Sequence, residues 1–476
     1  MLLQKATTMT DIPARTGTHA IVIGGSLAGM LAAAAVKDRV DTVEIIEAHD
    51  LPLAPQARTG VPQAAHIHPL LSGGAKAIDM LLPGTIASLL DAGANRVPMT
   101  TNMVYLSPEG WYRRWQRDTH YLIAASRDLT DSVIRRHVLS DARVKVRSHA
   151  RVVSLLGDAH RVTGVKLRTA DGSEHAVYGD VVIDASGRST RTPRWLADLG
   201  ITDLVEDHID SGMAYASRVY RAPVPTANWP LINVLPDPAL PGPAGGILPI
   251  EQDRWHVSVY GPPGSHPGRE PEGFEAYVRS LRHPIVSDLL KHAEPLTDVT
   301  ITHSTANHRF YYERLKAWPE GLIALGDSVA AFNPIYGHGM SVAAQGALAI
   351  RDVLTAGLFP GFARQAQRAV SRPINVAWSL AVGQDVLYAT TTGKQATPAD
   401  RLLHSYVSRL SRTATGNFRV ATALTDVLTL EAPPAVLLRP DILLASIIGP
   451  LRPPHIGPGF TAQEHQLLKR AGVQLS

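Results

Sequence analysis

Two stretches of this chain carry residues whose types and spacing suit chemistry. The first is Gly24-Gly25-Ser26-Leu27-Ala28-Gly29, set between the apolar run Ala20 to Ile23 and an alanine-rich segment that starts near Leu27. Strand, glycine turn and helix in that order make a diphosphate cradle. The first glycine makes the tight turn, the second lets backbone approach the phosphates, and the third lets the helix pack closely on the strand. Gly24 and Gly29 fill the first and third roles, while Ser26 is the smallest substitute for the second that keeps a β-carbon. The helix start then offers free N–H groups and a partial positive charge to an anion. Glu47 closes the following run, "TVEIIE", where a carboxylate can accept hydrogen bonds from an adenosine ribose and would repel a 2′-phosphate. The competing reading makes Ser26 a nucleophile on a hydrolase elbow. That motif needs G-x-S-x-G, and position 28 is alanine.

The second stretch is "GLIALGDSVAAFNPIYGHGMSVAAQGALAIRDVL". A strand ends at Gly326-Asp327, a loop with Asn333, Pro334, Gly337, His338 and Gly339 follows, and a helix starts near Met340 or Ser341. A loop this rich in glycine can lie flat against a ring, with the helix dipole aimed at negative charge developing there. A diphosphate would repel Asp327, so this carboxylate should face neutral hydroxyls such as a ribityl chain. Between the two stretches, residues 51 to 74 form a long loop dense in Pro, Gly and His, and such loops are usually functional. His66 and His68 would share a face if extended and could hold a metal, but no third ligand stands at helpful spacing. Packing over a cofactor ring is therefore the favoured reading, with no metal site, and Arg58 and Gln63 of the same loop are candidates to close a cofactor site.

These residues need elements to place them. Residues 1–18 read as a flexible tail. The strand, helix and "DTVEIIEAHD" segment form a βαβ unit, and a helix is expected near Gly74 to Leu82. "SRDLTDSVIRRHVLSD" is spaced as a helix with Ser126 as N-cap, followed by a strand meander that ends at Val181 to Ile183. From about Ile201, "GMAYASRVY", "GGILPI" and "RWHVSVYG" read as antiparallel strands, in which Tyr215, Trp255 and Tyr260 are more often core than pocket. Residues after about 361 look helical, with a Pro-rich apolar stretch from Ala432 to Phe460.

Composition bounds the function classes. The chain has 476 residues, 45% hydrophobic and 18% charged, with a net charge of +4 and no Lys/Arg-rich run, so nucleic acid is not an expected partner. No cysteine is present, which removes disulfides, thiolate nucleophiles and iron–sulfur clusters. The longest uncharged stretch, Ala20 to Val36, is too short and glycine-rich to span a bilayer. It has some features of a signal-peptide core, with Lys5 and Arg15 before it, but the βαβ unit would lose its first half on cleavage. A cytoplasmic protein without stable membrane insertion, monomeric or homodimeric, is expected.

Taken together, the motifs resemble the class A flavoprotein monooxygenases of para-hydroxybenzoate hydroxylase-like fold. "GGSLAG" with Glu47 is similar to their adenosine-diphosphate site, and Gly326-Asp327 with Pro334 and Gly339 to their second FAD motif. "RTGVPQAAHIHPLL", "DASGRSTRTPRWL", "FNPIYGHGMS" and "AWSLAVGQD" look most like bacterial flavin epoxidases of polyether biosynthesis. The middle motif departs from the wider family, reading Asp184-Ala185-Ser186 where Asp-Gly is usual, so the docking of the reductant is left open. The resemblance implies that Arg127 lies against the diphosphate or ribityl region, where a planar five-donor cation suits the task, and that Asp184 belongs to the cofactor site.

The implied fold is α/β. A discontinuous Rossmann-like FAD-binding domain (19–200 and 300–360) would be joined to an antiparallel-sheet substrate domain (201–299) and a helical C-terminal region (361–476). The implied activity is that of an FAD-dependent monooxygenase of secondary metabolism, such as antibiotic biosynthesis. FAD, reduced by NADPH or NADH, would react with O₂ to a C4a-hydroperoxide that epoxidises or hydroxylates a small apolar polyketide- or terpenoid-like substrate. No catalytic side chain is certain beyond the flavin-facing loop of Pro334, Gly337, His338, Gly339 and Met340. A non-redox polyene cyclase and a prenyl-chain reductase share the cofactor motifs and stay open. A halogenase is disfavoured because no Trp-x-Trp-x-Ile-Pro segment is present.

Overall fold

The computed structural model describes residues 17–237 and 242–475. The expected tail, 1–18, falls almost wholly outside that range, and its last residue, Thr18, is tied by its N–H to Asp41 at 2.6 Å.

A five-stranded parallel sheet runs in the order Leu322–Ala324, Val181–Asp184, His19–Ile23, Thr42–Ile46, Val144–Arg147. Parallel strands covered on both faces read as continuous apolar runs; Leu322–Ala324, Val181–Asp184 and His19–Ile23 are buried throughout, whereas the edge strand Val144–Arg147 alternates its valines with exposed Lys145 and Arg147. Helix Leu27–Val36 is buried almost all round, which its four consecutive alanines permit by letting the backbone lie close to the sheet and to helix Gly339–Val353. The expected meander is present as Ala150–Gly157, Val162–Thr169 and Glu174–Tyr178, with Asp158 accepting the N–H groups of His160 and Arg161 at its first turn. The helix expected near Gly74 to Leu82 spans Ser72–Leu81.

The second large sheet has eight strands, and its pattern determines what it offers the site. Ala214–Arg221 pairs antiparallel with Arg254–Gly261, which pairs with Ala244–Ile250. Side chains alternate faces along a strand, so Trp255, Val257 and Val259 enter an apolar core with Ala216, Trp229 and Phe274. His256, Ser258 and Tyr260 then share the opposite face with Tyr215 and Ser217 across the ladder. The sheet expected from 201–299 also takes in Met103–Ser107 and Gly110–Trp111, from inside the 19–200 segment, because Leu231–Val234 pairs parallel with Met103–Ser107. A pairing between segments so far apart leaves no local periodicity to read. Residues beyond 361 are mostly helical, beginning with Phe362–Asp385 and ending with Ala462–Arg470, which is held by Arg114 on Glu464 at 2.6 and 2.9 Å.

The polar face of this sheet receives the 51–74 loop. His256 Nε2 donates to the Ala65 carbonyl at 3.0 Å, and His66 Nδ1 lies 2.8 Å from Ser217 Oγ, which meets Ser258 Oγ. Burial pushes His66 and His256 down to about 4 and His68 to about 3, so all three are neutral at pH 7. A depressed histidine is protonated more readily in the unfolded chain. The folded state is therefore favoured fully above about pH 6.5, and that advantage is lost as pH falls from about 6.5 towards 4, by at most ~3 kcal/mol for His256. Thermal midpoints measured from pH 7.5 to 4.5 should drop over this window, and His256→Gln, which keeps a donor for Ala65, should flatten the drop.

Candidate cofactor and substrate site

The first glycine turn is built as its roles require. Gly24 has φ +95°, and a β-carbon there would lie 2.7 Å from the Ala185 carbonyl oxygen; one on Gly29 would lie 1.8 Å from the Gly24 carbonyl oxygen. Ser26 caps helix Leu27–Val36 by backbone position, but its hydroxyl takes no helix N–H. It accepts instead from Arg58 Nη1 at 3.1 Å, and Arg58 Nη2 stands 3.2 Å from Glu47 Oε2. Glu47 also accepts the Gly25 N–H at 2.7 Å and the His49 N–H at 3.0 Å. The Arg58 side chain is buried, yet its Nε–H has no partner among the described residues. Arg127 starts helix Arg127–Leu139, capped by Ser126 Oγ, and its Nε donates to Asp131 at 2.7 Å. Arg135 follows two turns on, donating to the Pro52 carbonyl. The guanidinium groups of Arg58, Arg127 and Arg135 stand among Glu47, Asp128 and Asp131, so the cluster is charge-balanced and Arg58 is the member with a donor left over.

The second turn meets the first. A β-carbon on Gly326, φ +69°, would lie 2.9 Å from that of Ala28, so the two glycine motifs, some 300 residues apart, face each other. Asp327 is half-buried, and its closest cation is Arg188 Nε at 3.8 Å. Burial raises its carboxyl above the usual range, against the pull of Arg188 and Arg127. A β-carbon on Gly339 would come within 3.9 Å of Asp327 Oδ1, which places the carboxylate at the start of helix Gly339–Val353. Its oxygens accept no protein hydrogen bond among the described residues, leaving them available to hydroxyl groups.

Several expected site residues stand elsewhere. Asp184 is fully buried, and its oxygens accept from the Ser186 N–H and Oγ and from Thr190 and Thr192 Oγ, so it orders the loop between strands rather than offering an acceptor to a ligand. Gln63 is exposed on the turn Pro62–Ala65, and its side chain bonds to none of the other site residues. Met340 and Leu27 sit in the main core, so only their backbone belongs to the turns. His338 is buried, with Nε2 donating to the Leu428 carbonyl at 3.1 Å and Nδ1 without a partner among the described residues. Pro334, Gly337 and Gly339 are partly accessible. His66 and His68 are tied into the loop, and no cluster of metal-ligating side chains occurs among the described residues.

Sequence reasoning missed the group that holds the second loop. Asp385, the last residue of helix Phe362–Asp385, accepts from Asn307 Nδ2 at 2.6 Å, Asn333 Nδ2 at 3.1 Å and the Tyr336 hydroxyl at 2.6 Å. Asn333 in turn accepts from Ile335 N–H and from the Tyr215 hydroxyl, both at 3.3 Å. Burial raises the Asp385 carboxyl while these donors hold it down. The aspartate was visible in "AWSLAVGQD", but nothing in the helix pattern tells a buried anchor from a surface acid. Across from this loop, Tyr215 stacks on Tyr260 at 5.2 Å, and Tyr105 and Tyr388 stand near Tyr260. Trp255 and Tyr215 are core, as the sequence suggested, whereas Tyr260, Tyr105 and Tyr388 keep partial access and have no hydrogen-bond partner for their hydroxyls among the described residues. A neutral, aromatic surface with free hydroxyls therefore faces the Asn333–Gly339 loop.

No protein-family model matches the chain. It is 28% identical over 390 residues to Protein Rv3254 of Mycobacterium tuberculosis, covering 79% of this chain and 82% of that one. Among solved structures it is similar to the flavin-dependent brominase Bmp2, with a TM-score of 0.62, 19% identity, and 88% and 97% of the two chains covered. It is also similar to p-nitrophenol 4-monooxygenase PnpA from Pseudomonas putida DLL-E4, with a TM-score of 0.63, 15% identity, and 87% and 98% covered. The chain therefore has the mixed α/β fold of the flavin-dependent halogenases and monooxygenases.

Proposed function

We propose that this chain binds FAD and uses it, with NADPH or NADH and O₂, as a monooxygenase that epoxidises or hydroxylates a neutral, apolar substrate of polyketide or terpenoid type. The observation that carries the reading is the meeting of two strand–turn–helix units at Ala28 and Gly326, one with Arg58 and its unpartnered Nε–H beside the helix start and the other with a carboxylate that accepts no hydrogen bond among the described residues. Those are the two needs of a dinucleotide that is anionic at its diphosphate and neutral along its ribityl chain. The unpartnered Arg58 Nε–H and the closed glycine cradle fit the diphosphate, and Glu47 has lone pairs left for a ribose hydroxyl.

Bound and reduced, FAD supplies the oxygen-activating chemistry. This chain's residues do the rest. Gly24 to Gly29, Arg58 and Arg127 hold the diphosphate; Asp327 takes ribityl hydroxyls; and the start of helix Gly339–Val353 sets positive potential where the reduced ring carries charge. Asp385 keeps the Asn333–Gly339 loop in one shape through Asn333 and Tyr336. The tyrosine face offers aromatic surface and hydroxyl groups but no strong base. That suits alkene oxygenation, which needs no substrate deprotonation, better than attack on a phenol.

Three outcomes are expected. The purified protein should show a flavin spectrum, and a polyene substrate should raise both NAD(P)H oxidation and O₂ uptake. Flavin that neither nicotinamide reduces would replace this reading with a non-redox cyclase, and substrate saturation without oxygen incorporation would replace it with a reductase. Ser26→Gly and Ser26→Ala should keep FAD, whereas Ser26→Leu should block the approach of the diphosphate and give colourless protein. Asp385→Ala leaves three buried donors unpaired, so it should cost about 3 kcal/mol in denaturant unfolding and loosen flavin retention, with Asp385→Asn milder on both.

A further inference from the structure

The C-terminal helices carry an apolar surface that the cofactor reading does not use. Helix Pro440–Ile448 turns only Ile442 and Ser446 fully inward. Leu444, Ile447, Ile448 and Leu451 are 59% to 69% exposed, and Ile456 protrudes completely. Leu402 extends this surface, on the face of helix Pro398–Ala414 that carries Tyr406 and Arg409 four and seven residues on. Tyr406 donates to the Leu437 carbonyl, which places that face against the segment leading into the apolar helix. Exposed aliphatic side chains gathered on one helix and the segment after it mark an interaction site.

Two further features say what covers it. The rim is basic: Arg401, Arg412 and Arg452 are exposed with no carboxylate partner among the described residues, and Asp441 is shared between Arg439 at 3.2 Å and Arg419 at 3.7 Å. The end of the apolar helix is also prepared for a place with little water. Arg409 Nε donates to the Ser446 carbonyl at 2.7 Å and its Nη2 to the Ile447 carbonyl at 3.1 Å, satisfying groups that water would otherwise serve. A second copy docked symmetrically on this face would bring arginine rim against arginine rim. An anionic bilayer surface matches both features at once: aliphatic side chains enter the acyl boundary while guanidinium groups meet phosphates.

We infer that helix Pro440–Ile448 and the 449–456 segment dock this protein on anionic phospholipid surfaces, lying in the interface without crossing it. At nine residues the helix is far too short to span, and no described helix is long and apolar enough to do so. The same helical bundle backs onto the tyrosine face, since the Tyr112 hydroxyl lies 3.0 Å from Ser411 Oγ and its ring lies 5.1 Å from that of Tyr105. Surface docking would thus bring a lipid-dissolved substrate to the side where the site is aromatic. The docking itself stands apart from the flavin reading.

The test is vesicle flotation of the full-length protein with vesicles of phosphatidylcholine alone or mixed with phosphatidylglycerol. The wild type should float with the phosphatidylglycerol vesicles, less so at raised salt, and at least tenfold less with phosphatidylcholine alone. The double variant Ile447→Glu/Ile448→Glu should lose flotation tenfold or more while keeping the wild-type circular dichroism and thermal midpoint, as expected of exposed positions. Arg452→Glu should weaken flotation without abolishing it. A wild type that floats with neither vesicle, or a double variant that floats unchanged, overturns the inference. So does a wild-type dimer that the double variant converts to monomer with no vesicle binding by either, which would make this face a protein interface.

Discussion

The site depends on one buried carboxylate. Asp184 ends the strand between His19–Ile23 and Leu322–Ala324, with no exposure to solvent. Removing an ion from water costs several kcal/mol unless donors replace the hydration, and here Ser186, Thr190 and Thr192 do so. Ser328 Oγ lies 3.4 Å from the same carboxylate and accepts the Gly187 N–H at 2.9 Å. The loops leaving two neighbouring strands are thereby tied to one point. The Gly24 turn, pressed against the Ala185 carbonyl, is held at the same level. Ligands of open parallel sheets bind at the carboxyl ends of strands, and this carboxylate keeps those ends in register.

From that point the molecule extends towards the second sheet through polar contacts. His66 reaches Ser217, His256 reaches Ala65, and Tyr215 reaches Asn333. All belong to one face of a sheet whose other face is packed with Trp229, Trp255 and Phe274. The large aromatic core gives rigidity on one side, so the other can carry tyrosines whose hydroxyls stay free. Asp385 repeats the logic of Asp184 at a second place, where a buried acid at a helix end gathers Asn307 from one segment and Asn333 and Tyr336 from another.

Much of this was legible in the residues. Alternation in "RWHVSVYG" announces a two-faced strand, and Ser126 before "RDLT" announces a capped helix, because these are properties of a few adjacent residues. The glycine spacing of the two turns is legible for the same reason. A motif shows residue types without showing which way a carboxylate turns, so the hydroxyl donors that take up Asp184 are not legible in it. Gln63 shared a loop with Arg58, yet the loop turns one inward and the other outward. Asp385 was unreadable, since its three partners come from residues 307, 333 and 336.

The sequence by itself therefore determined the local geometry: where backbone must make the tight turn at Gly24, which helices start at a cap, and which strands have one polar face. Each of these follows from steric and hydrogen-bonding preferences that act within a few residues. Only the tertiary structure decided which polar groups are consumed and which are left. It closed Asp184 with hydroxyl donors and left Asp327 open, joined Met103–Ser107 to a sheet over a hundred residues away, and left the faces of Pro440–Ile448 uncovered. Those outcomes depend on long-range pairing, in which a side chain's availability is whatever its distant neighbours have not already taken.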